Sequence, residues 1–214
     1  MILSIDTTSE FGSIALVEAN VTIEEVELHA PEGFGHVLFA HIAQLLEKRG
    51  TTVHQMECFA SASGPGSFTG VRVGLAAAKG LAEATGKRMV AVSNLRAMAR
   101  FGSAPLRATV IDARRGEVYA AVYNSRLELV MPEAVLKFED WLKKLEHLHQ
   151  GSFEFISTAP IDTEVPVVIA PRALGAAIGH IAWDEFTLGR ASDPAGIDAN
   201  YVRRSDAELL WKDR

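Results

Sequence analysis

Two apolar runs, Ile2–Asp6 ("ILSID") and Ala108–Asp112 ("ATVID"), set the strongest limit on what this chain can become, because each ends on an aspartate and opens the same series of patterns. After the first come "GSIALVEAN" and "VTIEEVEL"; after the second come "GEVYAAVYN" and "RLELVM". Alternation with period two on both sides of a polar turn is a hairpin signal. Each hairpin leads into an amphipathic segment, "HVLFAHIAQLLEKRG" in one case and "FEDWLKKLEHL" in the other. In the former, Leu38, Phe39, Ile42, Leu45 and Leu46 fall on one arc and Gly50 stops the helix. Strands follow at "ECFASAS" and "RMVAVS", and again at "FEFIS" and "VPVVIA", with further helices near Asn94 and over "RALGAAIGHIAWDEF". Strand–Asp–turn–hairpin–helix–strand–helix thus occurs twice. The repeat predicts an α/β chain of two similar lobes, 1–103 and 104–214, built on mixed central sheets with a cleft between them; the boundary is expected near Gly102–Pro105.

Bulk properties narrow the function. The 214 residues are 48% hydrophobic and 22% charged, ordinary for a globular chain, and the net charge of −6 repels a phosphate backbone at long range. Nucleic acid is therefore expected to be met only within an assembly. One cysteine, Cys58 in an apolar run, allows no internal disulfide and reads as an inert core thiol. Asp6 interrupts any signal-peptide core, and the longest uncharged run, between Glu57 and Arg72, is broken by Gly64, Pro65 and Gly66. A soluble, cytoplasmic protein without a membrane span is expected.

The stretch "GPGSFTGVRVGLAAAKGLA", Gly64–Ala82, invites a phosphate-binding reading that its spacing does not support. The nearest approach to a P-loop, "GLAEATGKR", has five residues between its glycines, carries Arg88 where a hydroxyl is required, and falls at the end of a helix. "GPGSFTG" is spaced G-x-G-x-x-x-G, and the following strand ends in Ser93 and Asn94 rather than in the acid that would hold a ribose. The plain alternative is a tight turn whose amides cap the next helix. That helix has two apolar arcs. Val71, Leu75, Ala78, Leu81 and Ala82 form one; Val73, Ala77, Gly80 and Ala84 form another, with Arg72, Lys79 and Glu83 in a narrow polar stripe. A helix that only covers a sheet needs one such arc. The second is either enclosed by the chain itself or packs on a partner; we favour the partner.

The residues "ILSIDTTSEFGSIAL", "GPGSFTGVRVGLAAAKGLA", "VIDARRGEVYAAVY" and "YVRRSDAEL" closely resemble the TsaB (YeaZ) family. The resemblance covers most of the chain and is weakest over 127–188. It implies a duplicated actin-like fold of the sugar-kinase and Hsp70 type, ribonuclease H-like in each lobe. It also implies a non-catalytic role beside TsaD, which transfers threonylcarbamoyl from its adenylate to N6 of the adenosine next to the tRNA anticodon. TsaE, an ATPase, joins the complex. The family's helices matching His36–Arg49 and Val71–Ala84 make the heterodimer contact with TsaD, or a homodimer without it. His36, Val37, Ala40, Val73, Ala77, Gly80 and Ala84 are accordingly the expected interface residues.

TsaD-type proteins bind a metal through two histidines four residues apart; "VAVSNLRAM" aligns Asn94 and Met98 there, and neither replaces an imidazole on such a site. His36 and His41 point about 140° apart on a helix, and His147 and His149 are two apart, so neither pair converges on one ion. There is no H-E-x-x-H, so a metallopeptidase gains no support. In the superfamily an Asp followed by hydroxyls approaches the phosphate-bound metal. Asp6, Thr7 and Thr8 fit that pattern weakly, whereas "DARRG" and the glycine-free "ISTAP" do not complete it. No catalytic residue, metal or cofactor is expected, and tRNA is expected only through the complex, although Arg114, Arg115, Arg203 and Arg204 could touch it. The competing reading is a stand-alone ATP- or metal-dependent kinase or hydrolase centred on Asp6.

Overall fold

The computed structural model describes residues 1–146, 153–161 and 163–202. His147, His149, Arg203 and Arg204 lie outside the described residues. The chain divides into two compact units, one made of 1–94 with 172–199, the other of 95–171 with 200–214.

The first unit is built on strands β1 (Ile2–Asp6), β2 (Phe11–Glu18), β3 (Val21–His29), β4 (Cys58–Ala62) and β5 (Arg88–Val92), in the order β3-β2-β1-β4-β5. The β1–β2 and β2–β3 pairs are antiparallel; β1–β4 and β4–β5 are parallel. Every residue of β1 and β4 is buried, as central strands covered on both faces require. Ala19 and Asn20, both with positive φ, make the tight turn between β2 and β3. Helices α1 (Leu38–Lys48) and α2 (Phe68–Thr85) share one apolar cluster with Leu3, Ile5, Ile14, Leu16 and Phe59. Cys58 is buried here, and burial pushes its thiol up to about 12.

The opposite face of this sheet is covered by α5 (Gly175–Thr187), which packs on β1, β2, β4 and β5. The sequence reading placed this segment in the second lobe. Its small residues explain the difference: a Cβ on Gly179 would sit 2.5 Å from Val17 Cγ2, and one on Gly175 would sit 2.6 Å from Ser13 Oγ. The helix therefore approaches the sheet more closely than a larger residue would permit. Its N-terminus is held by the first sheet as well. Gly175 N donates to Ser13 Oγ (2.7 Å), Ala176 N donates to Glu25 Oε1 (2.9 Å), and Ser4 Oγ donates to Gly175 O (2.7 Å). A carboxylate at a helix N-terminus meets unpaired amides and the positive end of the dipole.

The second unit repeats the sheet. Strands β6 (Leu106–Arg114), β7 (Glu117–Asn124), β8 (Leu129–Lys137), β9 (Phe153–Ser157) and β10 (Val167–Ile169) lie in the order β10-β9-β6-β7-β8, with the same parallel and antiparallel pairings. One face packs on α4 (Phe138–Glu146) through Trp141 and Leu145, which meet Ala108, Val110 and Phe155. Leu95 and Ala99 of α3 (Asn94–Ala99) pack against Ala121 and Tyr123 on the other face. The strand expected over "RLELVM" begins later, at Leu129. Asn124 Oδ1 accepts from the amides of Arg126 and Glu128 and holds 124–128 as a turn, with Leu127 at φ +59°.

Candidate functional site

At the start of α2 the chain bends back against the end of β1. Ser67 caps the helix, its Oγ accepting from Gly70 N at 3.3 Å, and Gly86 ends it in the left-handed conformation. The glycines of the motif have a packing purpose. A Cβ on Gly66 would lie 2.7 Å from Thr8 Cβ, one on Gly70 2.0 Å from Thr7 O, and one on Gly74 2.6 Å from Thr7 Oγ1. Without side chains there, the helix settles directly onto the Asp6–Thr8 turn, and Thr7 Oγ1 donates to Gly70 O (2.7 Å) while Ser67 N donates to Thr8 O (2.7 Å).

Asp6, Thr7 and Thr8 are all buried. Asp6 Oδ1 accepts from Thr8 N (3.0 Å) and Thr8 Oγ1 (2.7 Å). Asn94 Nδ2 in turn donates to Thr8 Oγ1 (2.7 Å), and Gly64 N donates to Asn94 Oδ1 (3.1 Å). Burial lifts the Asp6 carboxyl above the ordinary carboxylate range, against the opposing pull of hydrogen bonds from Thr8, the Leu174 backbone and Asn94. The three weak phosphate candidates are thus knitted into a closed latch between β1, α2 and the end of β5. Asn94 is a strut of that latch, and Met98 is a core residue. Among the described residues no group of three or more His, Cys, Asp or Glu side chains could hold a metal ion.

The outward side of α2 is different. Thr69, Val73, Ala76, Gly80 and Ala84 recur at helical spacing along one strip; all are exposed except Val73, which is half-buried. Phe68, 42% exposed, flanks the strip, with the Arg72 guanidinium 3.7 Å above its ring. The expected partner arc needs one correction: Ala77 is 5% exposed and belongs to the chain's own core cluster. Val73, Gly80 and Ala84 stay on the outward strip, and Ala76 takes the place expected of Ala77. Lys79, read as part of a polar stripe, donates to Ile197 O at 2.6 Å and ties the helix to the chain's own later segment.

α1 begins two residues later than expected, so His36 and Val37 form its entry; His36 and Ala40 are exposed and Val37 is half-buried. Phe39, assigned from periodicity to the buried arc, is 56% exposed, because Leu38, Ile42, Leu45 and Leu46 already fill the seam. Phe39, Phe68 and Ala76 were missed as surface features. Aromatic residues at the margin of an apolar arc carry no mark in sequence of which way they turn.

Comparison with known proteins agrees with this architecture. The family model described as TsaD, tRNA N6-adenosine threonylcarbamoyltransferase, matches residues 17–171, well over half of the chain. The tRNA threonylcarbamoyladenosine biosynthesis protein TsaB of Bacillus subtilis is 29% identical over 98% of this chain and 97% of its own length. TsaB of Escherichia coli is 36% identical over 69% of this chain and 67% of its own. The crystal structure of a Pseudomonas aeruginosa protein described as similar to the peptidase YeaZ superposes with a TM-score of 0.79 at 24% identity, covering 94% of this chain and 99% of that one. With two sheets of one order, the glycine-seated α2 and these relatives, the chain belongs to the TsaB (YeaZ) family, an α/β family of actin-like fold.

Proposed function

We propose that this protein is a non-catalytic subunit of the complex that installs threonylcarbamoyl on N6 of the adenosine beside the tRNA anticodon, and that it binds TsaD through the outward strip of α2 and the exposed side of α1. TsaE joins the larger assembly, and a homodimer forms through the same face when TsaD is absent. A stand-alone kinase or hydrolase would need Asp6 to reach a ligand, whereas its carboxyl is enclosed by Thr8 and Asn94. No helix among the described residues is long and apolar enough to cross a membrane.

The observation that carries this reading is Gly80. Gly66, Gly70 and Gly74 each have a neighbour in their own chain that forbids a side chain; a Cβ on Gly80 would meet nothing within 4 Å. Glycine inside a helix costs about 1 kcal/mol relative to alanine. Among the described residues nothing offsets that cost at position 80, whereas close approach of a second helix would. Phe39 on α1 and Phe68 at the start of α2 are exposed aromatic residues of the kind enriched as anchors at interface centres.

Gly80→Arg tests the assignment. The variant folds, since the site is open, and its affinity for TsaD falls at least thirtyfold, roughly the effect of losing one central anchor. The same variant fails to stimulate threonylcarbamoyl transfer by purified TsaD and TsaE on a tRNA transcript. Wild-type affinity in the folded variant removes α2 from the contact. Transfer that proceeds equally without this protein removes the proposed role.

A further inference from the structure

The internal repeat contains its own control. In the first unit the turn after β1 is Asp6-Thr7-Thr8, buried beneath the glycines of α2. At the matching place in the second unit Asp112 is exposed, and Ala113-Arg114-Arg115-Gly116 follows it to the tip of the β6–β7 hairpin. Arg114 and Arg115 are exposed and both adopt left-handed backbone, φ +64° and +58°, before Gly116 at +75°. Arg114 pairs with Glu117 in the ladder, so Arg115-Gly116 is a two-residue connection. Asparagine or glycine suits such positions; a long side chain at positive φ is sterically disfavoured. Asp112 Oδ1 accepts from Arg114 N at 2.7 Å and holds the bend. Lys137, exposed on β8 and paired in register with Glu117, puts a third cation at this end of the sheet.

Two adjacent exposed arginines therefore stand at a tip whose backbone favours small residues, with Asp112 and Glu117 as the carboxylates of the same hairpin end, in a chain whose net charge is −6. The planar fork of arginine matches pairs of phosphate oxygens, and such contacts place a protein on a nucleic acid without reading its sequence. We infer that the Arg114–Arg115 tip contacts the phosphate backbone of the RNA handled by the complex. This rests on the function proposed above, which brings a phosphate polymer into the assembly. An acidic protein segment would meet the same charges and is separated by experiment.

The test uses the full chain in complex with TsaD and an unmodified tRNA transcript carrying adenosine beside the anticodon, with affinity measured across a salt series. Arg114→Gln with Arg115→Gln removes both charges. The slope of log affinity against log salt becomes shallower by about 1.4–1.8, the release expected for two phosphate contacts. Arg114→Asn with Arg115→Asn shows the same shallow slope but melts at or above the wild-type temperature, since asparagine tolerates left-handed backbone. An unchanged slope in an intact complex overturns the inference. So does an unchanged slope with weakened TsaD binding, which assigns the tip to a protein partner. A lower melting temperature for the Asn pair also overturns it, because the arginines then serve the hairpin itself. If the wild-type chain forms no complex with TsaD, the proposed function fails first. The tip is then judged on the chain alone, where a slope difference supports the inference and equal slopes overturn it.

Discussion

Asp6 shows how one side chain can look open to a ligand in sequence and be buried and hydrogen-bonded in the fold. Its ordinary value is 3.8, and burial raises it. Between the unfolded and folded values the native chain binds more protons than the unfolded chain. The contribution of this group to stability is therefore fully present below about 3.8 and is lost as pH rises through the raised value. In urea titrations the unfolding free energy of wild type minus that of the non-titrating Asp6→Asn decreases on going upward through this window; a difference that increases with pH refutes the assignment. The glycines of α2 provide a second residue-level contrast. Gly74→Ala forces a Cβ to 2.6 Å from Thr7 Oγ1 and 3.0 Å from Ser61 Oγ, and lowers stability by about 1–3 kcal/mol. The Cβ of Gly80→Ala meets no atom of the described residues within 4 Å, and the substitution raises stability by about 1 kcal/mol. Thermal or urea unfolding of the two variants gives opposite signs. Identical amino acids six positions apart thus have different purposes, and only their neighbours distinguish them.

At the scale of elements, α2 was legible as a helix with excess apolar circumference, because helical spacing is written in the order of residues. Its rotation was less so. Ala76 and Ala77 are chemically identical and adjacent, yet one faces outward and the other joins the core. Periodicity defines an arc to within about one residue, 100° of rotation, and the sheet beneath decides the rest. The same limit misplaced Phe39, which stands at the edge of the α1 seam. β8 illustrates a different loss: Arg126, Leu127 and Glu128 continue the alternating pattern, but Asn124 captures two of their amides and keeps them in a turn. Local side-chain hydrogen bonds compete with strand pairing, and alternation alone does not report them.

At the scale of the molecule, the twofold repeat was visible because each unit spells its strands and hairpin in the same order. The route of the chain between units was not. α5 lies far along the sequence from β1 and β2, yet Ser4, Ser13, Val17 and Glu25 form its seat. A chain ending at Pro171 lacks α5 on that face of the first sheet and loses the amides of Gly175 and Ala176 that donate to Ser13 and Glu25. We expect the cooperative transition of the first unit to be lost, so that circular dichroism shows a smaller unfolding amplitude than the full chain; a transition equal to that of the full chain refutes the dependence. By itself the sequence determined the α/β class, the duplication, the central strands and a helix richer in apolar surface than one sheet requires, since all of these follow from short-range periodicity. The tertiary structure alone decided that Asp6 is enclosed, that Ala76 rather than Ala77 faces outward, and that α5 closes the first sheet. Those outcomes depend on which distant residues approach within a few ångströms, and contacts of that kind leave no local pattern to read.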